Sequence, residues 1–232
     1  MNQSNKEYLN LLIYSGVKYF YKETPNNLFD NGNLVISHNN LSEIKNIENL
    51  IKIVESYDSP LKKNANKTVV CDGNKKAKLM IIGEAPGKDE DQIGKPFVGQ
   101  AGQLLNKMLT AINIKREDVY ITNVIPWRPT NNRTPTEDEI LEFLPFLQRQ
   151  IEIIQPKIIY LLGATAAKAI LSTTLSISKL RKKWETYKSI NLNNSVAVLV
   201  SYHPAFLLRS PDYKKKAWED LQILQKKLND EN

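Results

Sequence analysis

Leu79-Met80-Ile81-Ile82-Gly83-Glu84-Ala85-Pro86-Gly87 is the stretch on which the fold turns. A short apolar run ends abruptly in two glycines that bracket a carboxylate and a proline. The run reads as a strand. Gly83 to Gly87 reads as a tight turn out of it, because glycine frees the backbone and Pro86 fixes its own φ. Similar runs recur at Val119–Val124, Ile158–Leu162 and Val196–Val200, with helical stretches between them. Thr136 followed by Glu139 is a capping box, and it opens a helix through Ile140, Phe143, Leu144, Leu147 and Ile151. Strands alternating with helices predict an α/β fold: a three-layer α/β/α arrangement on a central four-stranded, mainly parallel sheet.

Each strand runs at once into an unusual segment. Leu79–Ile82 leads to Gly83-Glu84-Ala85-Pro86-Gly87, and Ile121-Thr122 leads to Asn123 and then Pro126-Trp127-Arg128-Pro129. Leu162 leads to Gly163, and Val200-Ser201-Tyr202 leads to His203-Pro204. In open α/β sheets the ligand site lies beyond the carboxyl ends of the strands. Segments distant in sequence are therefore expected to converge at one edge.

Outward from this core, residues 78–232 form the expected α/β domain and residues 1–77 an N-terminal helical extension with a linker. Within the extension, Leu9, Leu12, Ile13, Val17 and Phe20 recur at helical spacing, as do Leu41, Ile44, Ile47, Leu50, Ile51 and Val54. Thr24–Asn27 and Asn31–Asn33 read as loop. The chain carries 32 Lys and Arg against 25 Asp and Glu, a net charge of +7. That balance favours an anionic partner, nucleic acid ahead of a membrane, although an ordinary basic protein fits the charge equally well. With a single cysteine, Cys71, neither an internal disulfide nor a CxxC zinc site is available. The start, Met1 to Glu7, lacks the apolar run of a signal peptide, and no apolar segment is long enough to span a bilayer, so a cytoplasmic protein is expected.

The candidate chemistry lies at the strand ends. Gly83 to Gly87 lacks the GxGxxG spacing of a dinucleotide site. Gly94 and Gly99 have the spacing of a phosphate loop, but Gln100 stands where its lysine belongs, which argues against nucleotide hydrolysis. Glu84, Asp89, Glu90 and Asp91 form either a solvated acidic loop or a carboxylate that orients water or steadies a cationic transition state. Phe97 is either core or a ring that the glycines on either side leave open to a planar ligand. Asn123 either caps its strand or reads a polar ring edge, since an amide both donates and accepts. His203, held extended by Pro204, is either structural or catalytic. After it, Phe206-Leu207-Leu208 beside Arg209 has the make-up of a loop that wedges a DNA base step while the arginine holds phosphate.

Together, Gly83 to Asp91, Gly94 to Gly102, Asn123 to Arg133 and His203 to Arg209 resemble the family 4 uracil-DNA glycosylases, in the family's order, from residue 78 to about 222. The resemblance implies hydrolysis of the N-glycosidic bond of uracil flipped out of DNA, in base excision repair. It also implies the roles. Phe97 stacks on the base. Asn123 reads the O4 and N3 edge. His203 donates to O2 as uracil leaves as an anion. Glu84 serves the water or the oxocarbenium-like sugar, with Glu90 in support. The backbone at Gly83 and Ala85 lines the uracil pocket, and Phe206, Leu207, Leu208 and Arg209 contact DNA. The expected partner is uracil-containing DNA, and the expected state is a monomer.

One departure from the family stands out. Its members typically hold a 4Fe-4S cluster on four cysteines, and here Ser59, Trp127 and Leu144 stand near or at those positions. Cys71 lies elsewhere and cannot hold a cluster alone. The expectation is therefore no cofactor and no metal, with packing by Trp127 and Leu144 in the cluster's place. Two readings compete with uracil excision: a non-catalytic nucleic-acid binder on the same fold, and a glycosylase for another deaminated base. A third, a relative trapped covalently on DNA, carries Gln where Ala85 stands and an inserted basic loop ending in His, and neither is present.

Overall fold

The computed structural model describes residues 41–231. The helical pattern from Leu9 to Phe20 and the loops at Thr24–Asn27 and Asn31–Asn33 lie outside them. Helix α1, Ile47–Ser56, begins where the Asn46 side chain accepts the Asn49 backbone N–H at 2.8 Å, and it buries Ile47, Leu50 and Val54. Strand β1, Cys71–Gly73, precedes β2, Leu79–Gly83. Then come α2, Lys88–Ile93; α3, Gln100–Thr110; β3, Tyr120–Asn123; and α4, Glu137–Ile154. Strand β4, Ile158–Leu162, leads into α5, Ala164–Leu171, and α6, Ile177–Leu180. Strands β5, Trp184–Tyr187, and β6, Val196–Ser201, are followed by α7, Pro204–Arg209, and α8, Lys214–Asp230. The capping box opens α4 as expected: Thr136 Oγ1 accepts from Glu139 N at 3.2 Å and the Glu139 carboxylate accepts from Thr136 N at 2.8 Å.

The expected parallel strands pair side by side in the order β3-β2-β4-β6. The sheet is wider than expected: β1 adds to β3 and β5 to β6, both antiparallel, giving six strands. Both additions are edge strands. β1 has only three residues, and β5 is largely exposed, so neither carries the apolar run by which the inner strands announce themselves.

Alternate residues of the inner strands feed opposite cores, as the pleat requires. Met80, Ile82, Tyr120, Ile159, Leu161, Val198 and Val200 pack with α1, α4 and α5. Leu79, Ile81, Ile121, Ile158, Tyr160, Leu162 and Leu199 pack with α3, α7 and α8. The result is the three-layer α/β/α arrangement. Helix α1 and strand β1, both placed by sequence in the extension, share this core and this sheet. Among the described residues no helix is long and apolar enough to cross a membrane.

After β2 the chain moves to β3 on one side, and after β4 it moves to β6 on the other. The direction reverses between β2 and β4, and a crevice at such a switch point is where open α/β sheets bind ligands.

Candidate active site

The crevice is a cleft of about 420 Å³ at the carboxyl ends of the strands, lined by Glu84, Ala85, Phe97, Asn123 and His203 among others. Phe206 and Arg209 line its rim, and so do Pro129, Asn132, Arg133 and Thr134 from the β3–α4 connection. The strand-end residues singled out from the sequence therefore meet, although they come from three strands and a loop.

Gly83 closes β2 against the cleft. A Cβ there would lie 2.5 Å from Asn123 Oδ1 and 2.5 Å from Phe97 Cζ, so only glycine lets the amide and the ring approach each other. Asn123 is 5% exposed at the end of β3. Next along from Gly83, the Glu84 carboxylate accepts a hydrogen bond from the Thr165 hydroxyl at the start of α5, directly across the switch point. Thr165 was not singled out from the sequence. It sits just after Gly163, and position relative to β4 was the only signal that could have found it.

His203 caps α7. Its Nδ1 accepts the Ala205 backbone N–H at 3.1 Å. A neutral imidazole has one accepting and one donating nitrogen, so this bond fixes the tautomer with the proton on Nε2. Burial, with the Arg209 charge adding to it, pushes the His203 pKa down to about 4. At neutral pH the ring is therefore an uncharged donor. Gly163, at φ +98°, lies beneath it, where a Cβ would come within 3.1 Å of the His203 Cβ. The Phe97 and His203 rings stack with centroids 5.5 Å apart and planes 30° apart.

The acidic cluster divides by duty. Glu90 is 8% exposed. Its Oε1 accepts from Val98 N and Gly99 N, both at 2.9 Å, and its Oε2 from Gly87 N at 3.1 Å. Both oxygens are thus occupied in tying the Phe97 loop to the Gly83–Gly87 turn. Asp91, fully buried, accepts from Asn66 N at 2.7 Å, Asn66 Nδ2 at 2.6 Å and Lys67 N at 3.2 Å, anchoring the segment before β1. Glu84 and Glu90 both line the cleft, and the Glu84 carboxylate is the one bonded by a side-chain hydroxyl rather than tied up by backbone N–H groups.

The apolar run after His203 is a short helix rather than a loop, and it splits in two. Leu207 is 1% exposed and belongs to the core beneath α7. Phe206 stacks on Tyr202 with centroids 5.4 Å apart. Leu208, 40% exposed, and Arg209 are the parts that face outward.

The positions where cysteines were expected are filled. Trp127, 1% exposed, donates from Nε1 to Thr68 Oγ1 at 3.1 Å and meets Phe143 edge-on at 5.3 Å. Tyr57 packs edge-on against Phe143 and Phe146 at 6.0 and 5.2 Å. Ser59 is fully buried and accepts from Leu61 N at 3.3 Å. Leu144 packs against the same core. A 4Fe-4S cluster needs four thiolates. The chain has one cysteine, and burial raises the pKa of that thiol. Among the described residues no group of three or more His, Cys, Asp or Glu is arranged to hold a metal ion. The residues present do not fit the cluster.

A sheet with its switch point between β2 and β4, and a cleft that combines a neutral histidine, an amide, a ring and a carboxylate, define a class. The chain belongs to the uracil DNA glycosylase superfamily, whose family model matches residues 71–222. Its similar relatives include type-4 uracil-DNA glycosylases. That of Archaeoglobus fulgidus is 41% identical over 186 residues, covering 76% of this chain and 92% of the relative. That of Saccharolobus solfataricus is 44% identical over 163 residues, 68% of this chain and 74% of the relative. A type-5 uracil-DNA glycosylase of Pyrobaculum aerophilum is 28% identical over 148 residues, 57% of this chain and 63% of the relative.

Proposed function

We propose that this chain is a DNA repair glycosylase that hydrolyses the N-glycosidic bond of uracil in DNA and leaves an abasic site. The observation that carries the reading is the Ala205 N–H bond to His203 Nδ1, which leaves Nε2–H free as a donor in the cleft. As the bond between C1′ and uracil N1 breaks, its electron pair passes to the base, and charge gathers on O2. A fixed neutral donor there stabilises the transition state more than the ground state; the lowered pKa, near 4, keeps the ring from taking up a second proton, and a neutral imidazole holds its Nε2–H because it is itself a very weak acid. Water adds to C1′ as the sugar turns cationic, and Glu84 orients it and takes its proton. Phe97 stacks on the flipped base. The Asn123 amide donates to O4 and accepts from N3–H, a pairing that cytosine reverses at its amino group. Phe206 and Arg209 at the rim, with Leu208 beyond them, meet the DNA. Leu207 supports them from beneath.

The enzyme works as a monomer and without an iron–sulfur cluster. The aromatic packing of Tyr57, Trp127, Phe143 and Phe146 supports the second point, because it fills the region with side chains other than the thiolates a 4Fe-4S cluster needs.

The test is release of base from matched oligonucleotides containing one uracil or one cytosine. Uracil is expected to leave an alkali-labile abasic site while cytosine stays. Binding without release would instead make the chain a nucleic-acid binder.

A further inference from the structure

Phe97 sits at φ 53°, in the left-handed region that costs a bulky residue energy, so the surrounding structure must hold it there. Glu90 holds one side through the N–H groups of Val98 and Gly99. Gly102 of α3 leaves room on another, where any Cβ would collide with the Phe97 carbonyl. The third hold is Arg116, which lies before β3, far from the motifs that line the cleft. Its Nη1 donates to the Phe97 carbonyl at 2.9 Å and to Asn106 Oδ1 at 3.1 Å, and its Nη2 donates to the Pro96 carbonyl at 2.7 Å. Asp72 of β1 fixes the guanidinium by accepting from Nε at 3.0 Å and from Nη2 at 2.9 Å. Burial works against the Asp72 carboxylate, but the bonds and charge of Arg116 outweigh it and hold its pKa below the usual value.

We propose that Arg116, keyed by Asp72, is a positioning residue that sets the Phe97 ring for stacking on the flipped base. The inference rests on the role given to Phe97 under the proposed function. The two carbonyls that Arg116 grips flank the Cα of Phe97, so the fork fixes that residue's backbone directly. A planar guanidinium reaches two carbonyls and a carboxylate at once, whereas a lysine ammonium cannot present that fork. β1, the edge strand that gives no signal in the sequence, thereby acquires a function: it carries the carboxylate that aims Arg116.

The test is single-turnover uracil excision at saturating enzyme by wild type, Arg116→Ala, Arg116→Lys, Phe97→Ala and the Phe97→Ala/Arg116→Ala double variant. Rate constant and amplitude are read separately. Losing a base stack corresponds to roughly tenfold in rate. Arg116→Ala is expected to lower the rate constant by about that factor with full amplitude, and Arg116→Lys to recover little of it. In the Phe97→Ala background the arginine change is expected to cost no more than about twofold, since both act through one ring. Losses that multiply in the double variant would overturn the inference and leave the proposed function standing. So would a wild-type rate constant with reduced amplitude, which marks a partly unfolded population. If Phe97→Ala alone leaves excision unchanged, the stacking role fails and the inference with it. Where Arg116→Ala does not fold, Arg116→Lys and Asp72→Asn carry the same comparison.

Discussion

The two rings that face each other across the cleft, Phe97 and His203, are held in opposite ways. His203 is set by its own neighbours: Pro204 keeps it extended, and Ala205, two residues on, donates to Nδ1 and fixes the tautomer. Phe97 is set from a distance. Glu90, Gly102 and Arg116 reach it from three other parts of the chain, and Asp72 on an edge strand steadies Arg116. A locally set group loses its chemistry when it is itself replaced. A remotely set group can be lost through residues that never touch substrate.

The largest effect should come from the local side. His203→Ala removes the donor at O2 and should slow single-turnover uracil excision by roughly 10²–10³, the usual cost of one such donor. Binding of a uracil-containing duplex, measured by anisotropy, should hardly change. A wild-type rate in this variant would mean that the ring is structural.

On the remote side, Glu90→Ala leaves the part-buried Val98 N–H and the buried Gly99 N–H without their acceptor. Stability should fall by about 2 kcal/mol, read as a lower midpoint in urea, and excision should weaken because the Phe97 loop is no longer tied. If Glu90 instead acted on the reacting atoms, Glu90→Ala would abolish excision at unchanged stability.

A smaller effect belongs to the rim. Leu208→Ala should slow excision from duplex DNA by several-fold and from single strands little, since only the duplex demands a few kcal/mol of unstacking. Leu207→Ala should act differently, lowering stability by about 2–4 kcal/mol as a core truncation does and affecting both substrates alike.

The smallest effect is one of pH. The His203 pKa is lowered from 6.5 to about 4 by burial and by Arg209. The ring thus stays neutral, and its donor in place, from alkaline pH down to near 4. No step with a midpoint between pH 6 and 7 should appear in the excision rate. The unfolded chain takes up its proton near 6.5, so the stability linked to His203 is full above that value and declines as pH falls toward 4. Loss of activity around pH 6.5 would mean an ordinary, solvated histidine.

The difference between the rings also explains how far the sequence could be read. The inner strands were legible because their apolar runs are buried on both faces, and the convergence of Gly83, Asn123 and His203 followed from where those strands end. His203 was legible because its constraint, Pro204, stands next to it. The two edge strands were not, since Cys71–Gly73 is short and Trp184–Tyr187 is mostly solvated. Glu90 read as one acidic residue among four because its partners are backbone N–H groups eight and nine residues away. Thr165 and Arg116 gave no local pattern at all. Leu207 and Leu208 looked alike until the helical turn sent one inward and left the other outside.

The most direct test of uracil excision without a cluster is to measure base release and metal content on one sample. Purified full-length chain is incubated in excess over a uracil-containing oligonucleotide, and iron and acid-labile sulfide are determined in the same preparation. The expected result is complete release of uracil by protein whose iron is far below one atom per chain. Contradiction would be iron-free protein that releases no uracil, or active protein that carries stoichiometric iron and sulfide.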